Sequence, residues 1–142
     1  MKHLSIDLGD VRIGLAMSDS LGIIANGLET YHRVFIYKDV EYIANLAIEN
    51  GVKCVVMGLP INMNGTTGER VEKAKEFAQL LEEKFKEKQY ECKIDFQDER
   101  LTTVSSERVL IEAGMRREKR KQVIDKVAAT IILQTYLDIH SR

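Results

Sequence analysis

The sequence has no tryptophan, one proline and two cysteines among 142 residues. Cys54 and Cys92 each sit beside strand-like apolar residues. They read as reduced core thiols, as expected of a cytoplasmic protein, and not as a disulfide framework or a thiol nucleophile. His3, His32 and His140 are too scattered for a zinc site. No run of 18 apolar residues is present, so no helix is expected to span a membrane. The start, Met1 to Asp7, reaches an acid too early for a secretory signal. Aromatic residues make up 6%, which leaves no obvious platform for stacking bases. Net charge is also nearly absent: 21 Lys and Arg stand against 22 Asp and Glu. That balance argues against a protein that coats nucleic acid by bulk electrostatics.

What is present suits a single domain over residues 1–142, with 44% hydrophobic and 30% charged residues. A chain of this length buries roughly 68–70% of its unfolded surface and needs no covalent staples. Residues 2–7 alternate as a strand, with Leu4 and Ile6 on one face and Ser5 and Asp7 on the other. Gly9-Asp10 turns the chain into a second strand over 12–18, and a third, weaker strand falls within 23–31. The period then changes. Asp39 is placed to cap a helix carrying Val40, Ile43, Ala44, Ala47 and Ile48, which Asn50-Gly51 stops. A buried strand over 52–57 leads into a loop over 58–65. Thr66 and Glu69 have capping-box spacing for a helix to about Gln89, with Val71, Ala74, Ala78, Leu81 and Phe85 inward. A strand through Cys92, Ile94 and Phe96 ends at Asp98-Glu99-Arg100, and helices are predicted over 103–113 and 121–139. The expected fold is α/β: a five-stranded mixed sheet, three antiparallel strands then two parallel, flanked by helices on both faces. This is the element order of the ribonuclease H-like fold.

Three acidic positions stand where a solvated surface charge is not expected. Asp7 closes the first strand, Asp98 closes a later parallel strand, and Asp125 heads a helical stripe of Ala128, Ala129, Ile132 and Tyr136. The alanines let that helix approach the sheet and carry Asp125 over the strand ends. Glu99 competes with Asp98 for the middle position. Alternation puts Asp98 on the apolar face and Glu99 with Asp95 and Gln97, which slightly favours Asp98, and both are retained. Carboxylates gathered in this way need cations, and hard oxygen donors suit Mg²⁺ or Mn²⁺. Two such ions roughly 3.5–4 Å apart can activate water and stabilise a leaving oxygen in phosphodiester cleavage.

Around these acids stand the residues expected to meet nucleic acid. Gly14 leaves a gap for a phosphate backbone. Asn62 and Asn64 lie in the loop, and Arg12 and Arg100 stand beside proposed ligands, where they either position a phosphate or hold the carboxylates. Arg116, Arg117, Lys119, Arg120 and Lys121 form a basic run just before the Asp125 helix, suited to phosphate contact. The mixed Glu and Lys of residues 72–88 read as a solvent face held by i,i+4 pairs.

Four segments together carry a family resemblance: Asp7-Leu8-Gly9-x-x-Arg12-Ile13-Gly14-x-Ala16, Gly58-Leu59-Pro60 with Asn64-Gly65, Asp98-Glu99-Arg100-Leu101-Thr102-Thr103, and Asp125-x-x-Ala128-Ala129. Over nearly the whole chain the sequence resembles the YqgF/RuvX family, ribonuclease H-like relatives of the RuvC resolvases. The resemblance implies a nuclease maturing the 5′ end of pre-16S ribosomal RNA, with catalytic acids at Asp7, at Asp98 or Glu99, and at Asp125. Asn64 stands where many members have Asp. The leading expectation is a Mg²⁺- or Mn²⁺-dependent endonuclease acting on structured precursor ribosomal RNA, in contact with the assembling small ribosomal subunit, as a monomer or weak homodimer. The alternatives are a Holliday-junction resolvase acting on branched DNA and a non-catalytic ribosomal-RNA-binding assembly factor.

Overall fold

The structure, a computed structural model, describes residues 1–60, 68–99 and 117–140, with side chains of the last segment described from Lys126 onward. β1 (His3–Leu8) is central because it can pair on both edges and bury both faces. β2 (Arg12–Ser18) pairs antiparallel with it, setting Asp7 opposite Gly14, and β3 (Ala25–His32) pairs antiparallel with β2. On the other edge β4 (Cys54–Leu59) runs parallel to β1, and β5 (Lys93–Asp98) parallel to β4. The order β3-β2-β1-β4-β5 is the predicted mixed sheet.

The helices cover the two faces unequally. α1 (Ile36–Glu49) and α2 (Glu69–Glu87) cover one, burying Val40, Ile43, Phe77, Leu81 and Phe85 against Leu4, Ile6, Leu15 and Met57. Each such side chain removed from water contributes roughly 1.5–3 kcal/mol. α3 (Arg117–His140) covers the other face with a stripe containing Ala129, Ile132, Leu133, Tyr136 and Leu137 on Ala16, Ala25, Cys54 and Val56. The small residues bring helix and sheet close enough for the Ser5 hydroxyl to donate to the Ala129 carbonyl at 2.7 Å. Neither cysteine is bridged, and Cys54 is buried in this layer. Among the described residues no helix is long and apolar enough to cross a membrane.

The helix starts differ from the sequence reading. α1 begins at Ile36, so Asp39 lies inside its first turn instead of capping it, and its carboxylate reaches back to the Val34 N–H at 3.0 Å. The predicted stop holds: Gly51 takes φ +68° directly after Asn50. α2 is capped by Gly68, not Thr66, and its inward face includes Phe77, which the spacing argument omitted. α3 begins at Arg117, so most of the basic run is helix and not the preceding loop. Arg, Lys and Glu are good helix formers, and no Gly or Pro between 115 and 121 halts them. The helix predicted over 103–113 lies outside the described residues.

Candidate functional site

The β1–β2 turn fixes the first carboxylate. Gly9 donates its N–H to the Arg12 carbonyl at 2.9 Å, and a Cβ on Gly9 would lie 2.5 Å from that oxygen. Only glycine closes this turn, and it follows Asp7 by two residues. Strand alternation turns Asp7, like Ser5, toward the α3 face. Beside it stands Gly14 of β2, where no side chain crowds the carboxylate.

The second carboxylate comes from the end of β5. The Glu99 N–H donates to the Leu59 carbonyl at 3.1 Å and extends the β4–β5 ladder by one residue. Odd-numbered β5 positions face α3, as Asp95 shows by accepting the Tyr136 hydroxyl at 2.7 Å. Glu99 therefore shares the Asp7 face, whereas Asp98 alternates with Ile94 and Phe96 toward the other. Gly58 lies between them on β4. A Cβ there would strike the Glu99 Oε2 and would sit 2.8 Å from Ile132 Cδ1. The bare backbone of Gly58 is what lets the Glu99 carboxyl lie across β4.

The electrostatics follow from this crowding. Burial pushes the Glu99 carboxyl up to about 8, and the Asp7 charge reinforces the shift. The Arg70 guanidinium opposes it, and a hydrogen bond with Asp7 and the Asp98 charge add further upward shifts. Arg70 lies in the first turn of α2, and the sequence reading did not single it out. A lone Arg at the start of a charged helix carries no pattern that marks it.

The remaining predicted residues divide by place. Arg12 opens β2 on the α3 face, with its neighbour His32 in β3. Asp125 lies in α3, one turn before Ala128 and Ala129 on the same stripe, and its side chain lies outside the described residues. The same holds for the side chains of Arg117, Lys119, Arg120 and Lys121, while Asn62, Asn64, Arg100 and Arg116 lie wholly outside them. Among the described residues no group of three or more His, Cys, Asp or Glu is arranged to hold a metal ion.

The sequence profile of RuvX, described as Holliday junction resolvase, matches residues 1–139. The chain belongs to the RuvX family. The YqgF/RuvX resemblance of the four segments is thereby borne out. Among its relatives is a Clostridium novyi protein, 46% identical over 138 residues, which cover 97% of this chain and 98% of that one. A Syntrophomonas wolfei protein is likewise 46% identical over 138 residues, covering 97% and 94%. Both are named, provisionally, as pre-16S rRNA nucleases. The fold is shared with T. thermophilus RuvC in complex with a Holliday junction substrate, at TM-score 0.61 and 12% identity over 99% of this chain and 96% of that one. Fowlpox virus resolvase with Holliday junction DNA matches at TM-score 0.61 and 11% identity, over 100% of both chains. The α/β, ribonuclease H-like architecture expected from the sequence is the one these neighbours have.

Proposed function

We propose that this protein is a divalent-metal-dependent endonuclease that hydrolyses phosphodiester bonds in the 5′ region of precursor 16S ribosomal RNA. The observation that carries the reading is the Asp7–Glu99 pair, two acids within hydrogen-bonding reach at the ends of parallel strands under α3. The pair fits a hard dication: a buried carboxyl held above its ordinary range by a neighbouring acid gains most from a positive charge set between them. Asp7 and Glu99 would hold Mg²⁺ or Mn²⁺ together with Asp125 from α3. Of the two candidates for the middle position, the shared face supports Glu99 over Asp98. When bound, the metal supplies a nucleophilic water and charge stabilisation at the leaving oxygen.

The chain's own groups do the rest. Glu99 carries a proton near neutral pH in the ion-free protein and gives it up when the cation binds. Gly14 and Gly58 keep the approach to Asp7 low, so a phosphate backbone can come close. Arg70 borders the acids, and it and Arg12 would position the phosphates, with Asn62, Asn64, Arg100 and the basic residues Arg116, Arg117, Lys119, Arg120 and Lys121 extending the contact. The relatives' names support ribosomal RNA as the substrate, which implies cytoplasmic work beside the assembling small subunit. Branched DNA is the second reading, favoured by the family description. The test is Asp7→Asn, assayed with Mg²⁺ on a pre-16S fragment and on a synthetic four-way junction. Cleavage of the RNA should fall at least about a hundredfold. Survival of cleavage at the wild-type rate removes the site, and junction cleavage alone reassigns the substrate.

A further inference from the structure

A cavity of about 580 Å³ opens beside the β1–β2 turn, on the α1/α2 side of the sheet, with Leu8 in its wall. That volume lies within the roughly 300–1,000 Å³ typical of small-ligand sites. Three apolar side chains stand at it unusually exposed: Val11 at 64%, Val34 at 63% and Phe35 at 58%. They come from two separate connections, and a buried lock pins those connections together. Arg33 Nε donates to Asp39 at 2.9 Å, its Nη1 donates to the Gly9 carbonyl at 2.9 Å, and its N–H donates to the Val11 carbonyl at 2.9 Å. Asp39, fully buried, also accepts the Tyr31 hydroxyl at 3.0 Å. The apolar walls are therefore preformed, and a ligand need not order them.

Charge selects the kind of ligand. Arg33 and Lys73 face Asp10, Asp39 and Glu76, so the cavity has no surplus positive charge for a phosphate. A neutral planar group with amino donors fits better: apolar surface for its faces, and the Asp10 and Glu76 carboxylates to accept from its edge. The phosphate-matching charges lie at the cavity's edge. Lys73 and, three residues before it on α2, Arg70 line an adjoining hollow with Leu8, Gly9, Asp10 and Arg33, where Lys73 pairs with Asp10 at 3.6 Å and Glu69 at 3.4 Å, and Arg70 also acts on Glu99. Arg70 thus stands between the Glu99 carboxyl and the hollow that shares Leu8, Asp10, Arg33 and Lys73 with the cavity.

We infer that this cavity receives one unstacked nucleobase of the substrate strand, with the adjoining phosphates on Arg70 and Lys73. The inference rests on the nuclease reading for its ligand, and binding tests it separately from cleavage. The probe is a labelled 12-nucleotide single-stranded RNA, with the same sequence as a blunt duplex, titrated in EDTA against wild type, Phe35→Ala and Val11→Ser, each confirmed folded by its melting curve. Phe35→Ala should weaken the single strand about tenfold and the duplex less than about twofold, with Val11→Ser in the same direction. An abasic scan of the single strand should find one position whose loss weakens wild type about tenfold and Phe35→Ala hardly at all, since both remove the same contact. Unchanged single-strand affinity, equal losses for both RNAs, or no coupled abasic position overturns the proposal. So does a dimer that Phe35→Ala splits without changing RNA affinity, which would make the patch a contact between copies. A wild-type protein that shows the coupling but never cleaves with Mg²⁺ sinks the nuclease reading and supports the base site.

Discussion

Among the described residues two carboxylates, the buried Asp39 and the partly buried Glu99, lie on opposite sides of the sheet, and their surroundings differ in kind. Asp39, at the start of α1, is matched by the Arg33 guanidinium, the Tyr31 hydroxyl and a backbone N–H. Glu99, just past the end of β5, is set against Asp7 and Asp98, with the Arg70 guanidinium opposing them. The first carboxylate is satisfied by the fold itself and ties β1–β2 to β3–α1. The second is crowded by like groups, a condition the fold alone does not favour and a cation would relieve. The layers around them differ in the same sense. The α1/α2 side is filled by Phe77, Phe85 and Leu side chains, while the α3 side is thinned by Ala16, Ala129 and Gly58, which lets α3 and the Glu99 carboxyl lie close to the sheet.

The sharpest break in this comparison comes from Asp39→Ala. It leaves Arg33 buried without its partner and should cost about 3 kcal/mol or more in denaturant unfolding, with Mn²⁺ affinity of the folded fraction unchanged. The corresponding change on the other side should act with opposite sign. Burial pushes the Glu99 carboxyl up to about 8 in the folded protein, well above a free glutamate, so the folded state holds the proton more tightly through that window. Stability of the ion-free wild type should therefore be greatest at the acid end of the window and fall as pH rises to 8, by up to about 1.4 kcal/mol per pH unit. Glu99→Gln should flatten that slope and leave the protein more stable than wild type at pH 8, measured by melting in EDTA. The smallest effect on stability is expected of Gly58→Ala. The added methyl meets Glu99 and Ile132 and should cost about 1 kcal/mol, yet it should weaken Mn²⁺ binding, read by competition with a metal indicator.

Much of this was legible in the sequence, and the errors have physical causes. Period-2 alternation and, for β4, a continuous apolar run marked the five described strands, and period 3.6 the described helices, because a strand buried on both faces loses its alternation and one with a polar face keeps it. Alternation also separated Asp98 from Glu99 correctly. The preference for Asp98 rests on the apolar face of β5, whereas Asp7 alternates with Ile6 and shares the side of Ser5, and the proposed pairing of Glu99 with Asp7 follows that side. Helix starts were misplaced where tertiary contacts decide them: Asp39 is held from behind by Arg33, and the basic run continues α3 because nothing in it breaks a helix. Arg70 in α2, Val11 in the β1–β2 turn and Phe35 before α1 belong to different parts of the chain, and only folding brings them to the adjoining hollow and cavity.

A cation site at Asp7 and Glu99 makes calorimetric titration of the full chain with Mn²⁺ at pH 7 decisive. Saturable binding with proton release, seen as a dependence of the heat on buffer ionisation, is expected of wild type, with loss of both in Asp7→Asn. Binding of Mn²⁺ by Asp7→Asn with wild-type affinity and wild-type proton release would rule the site out.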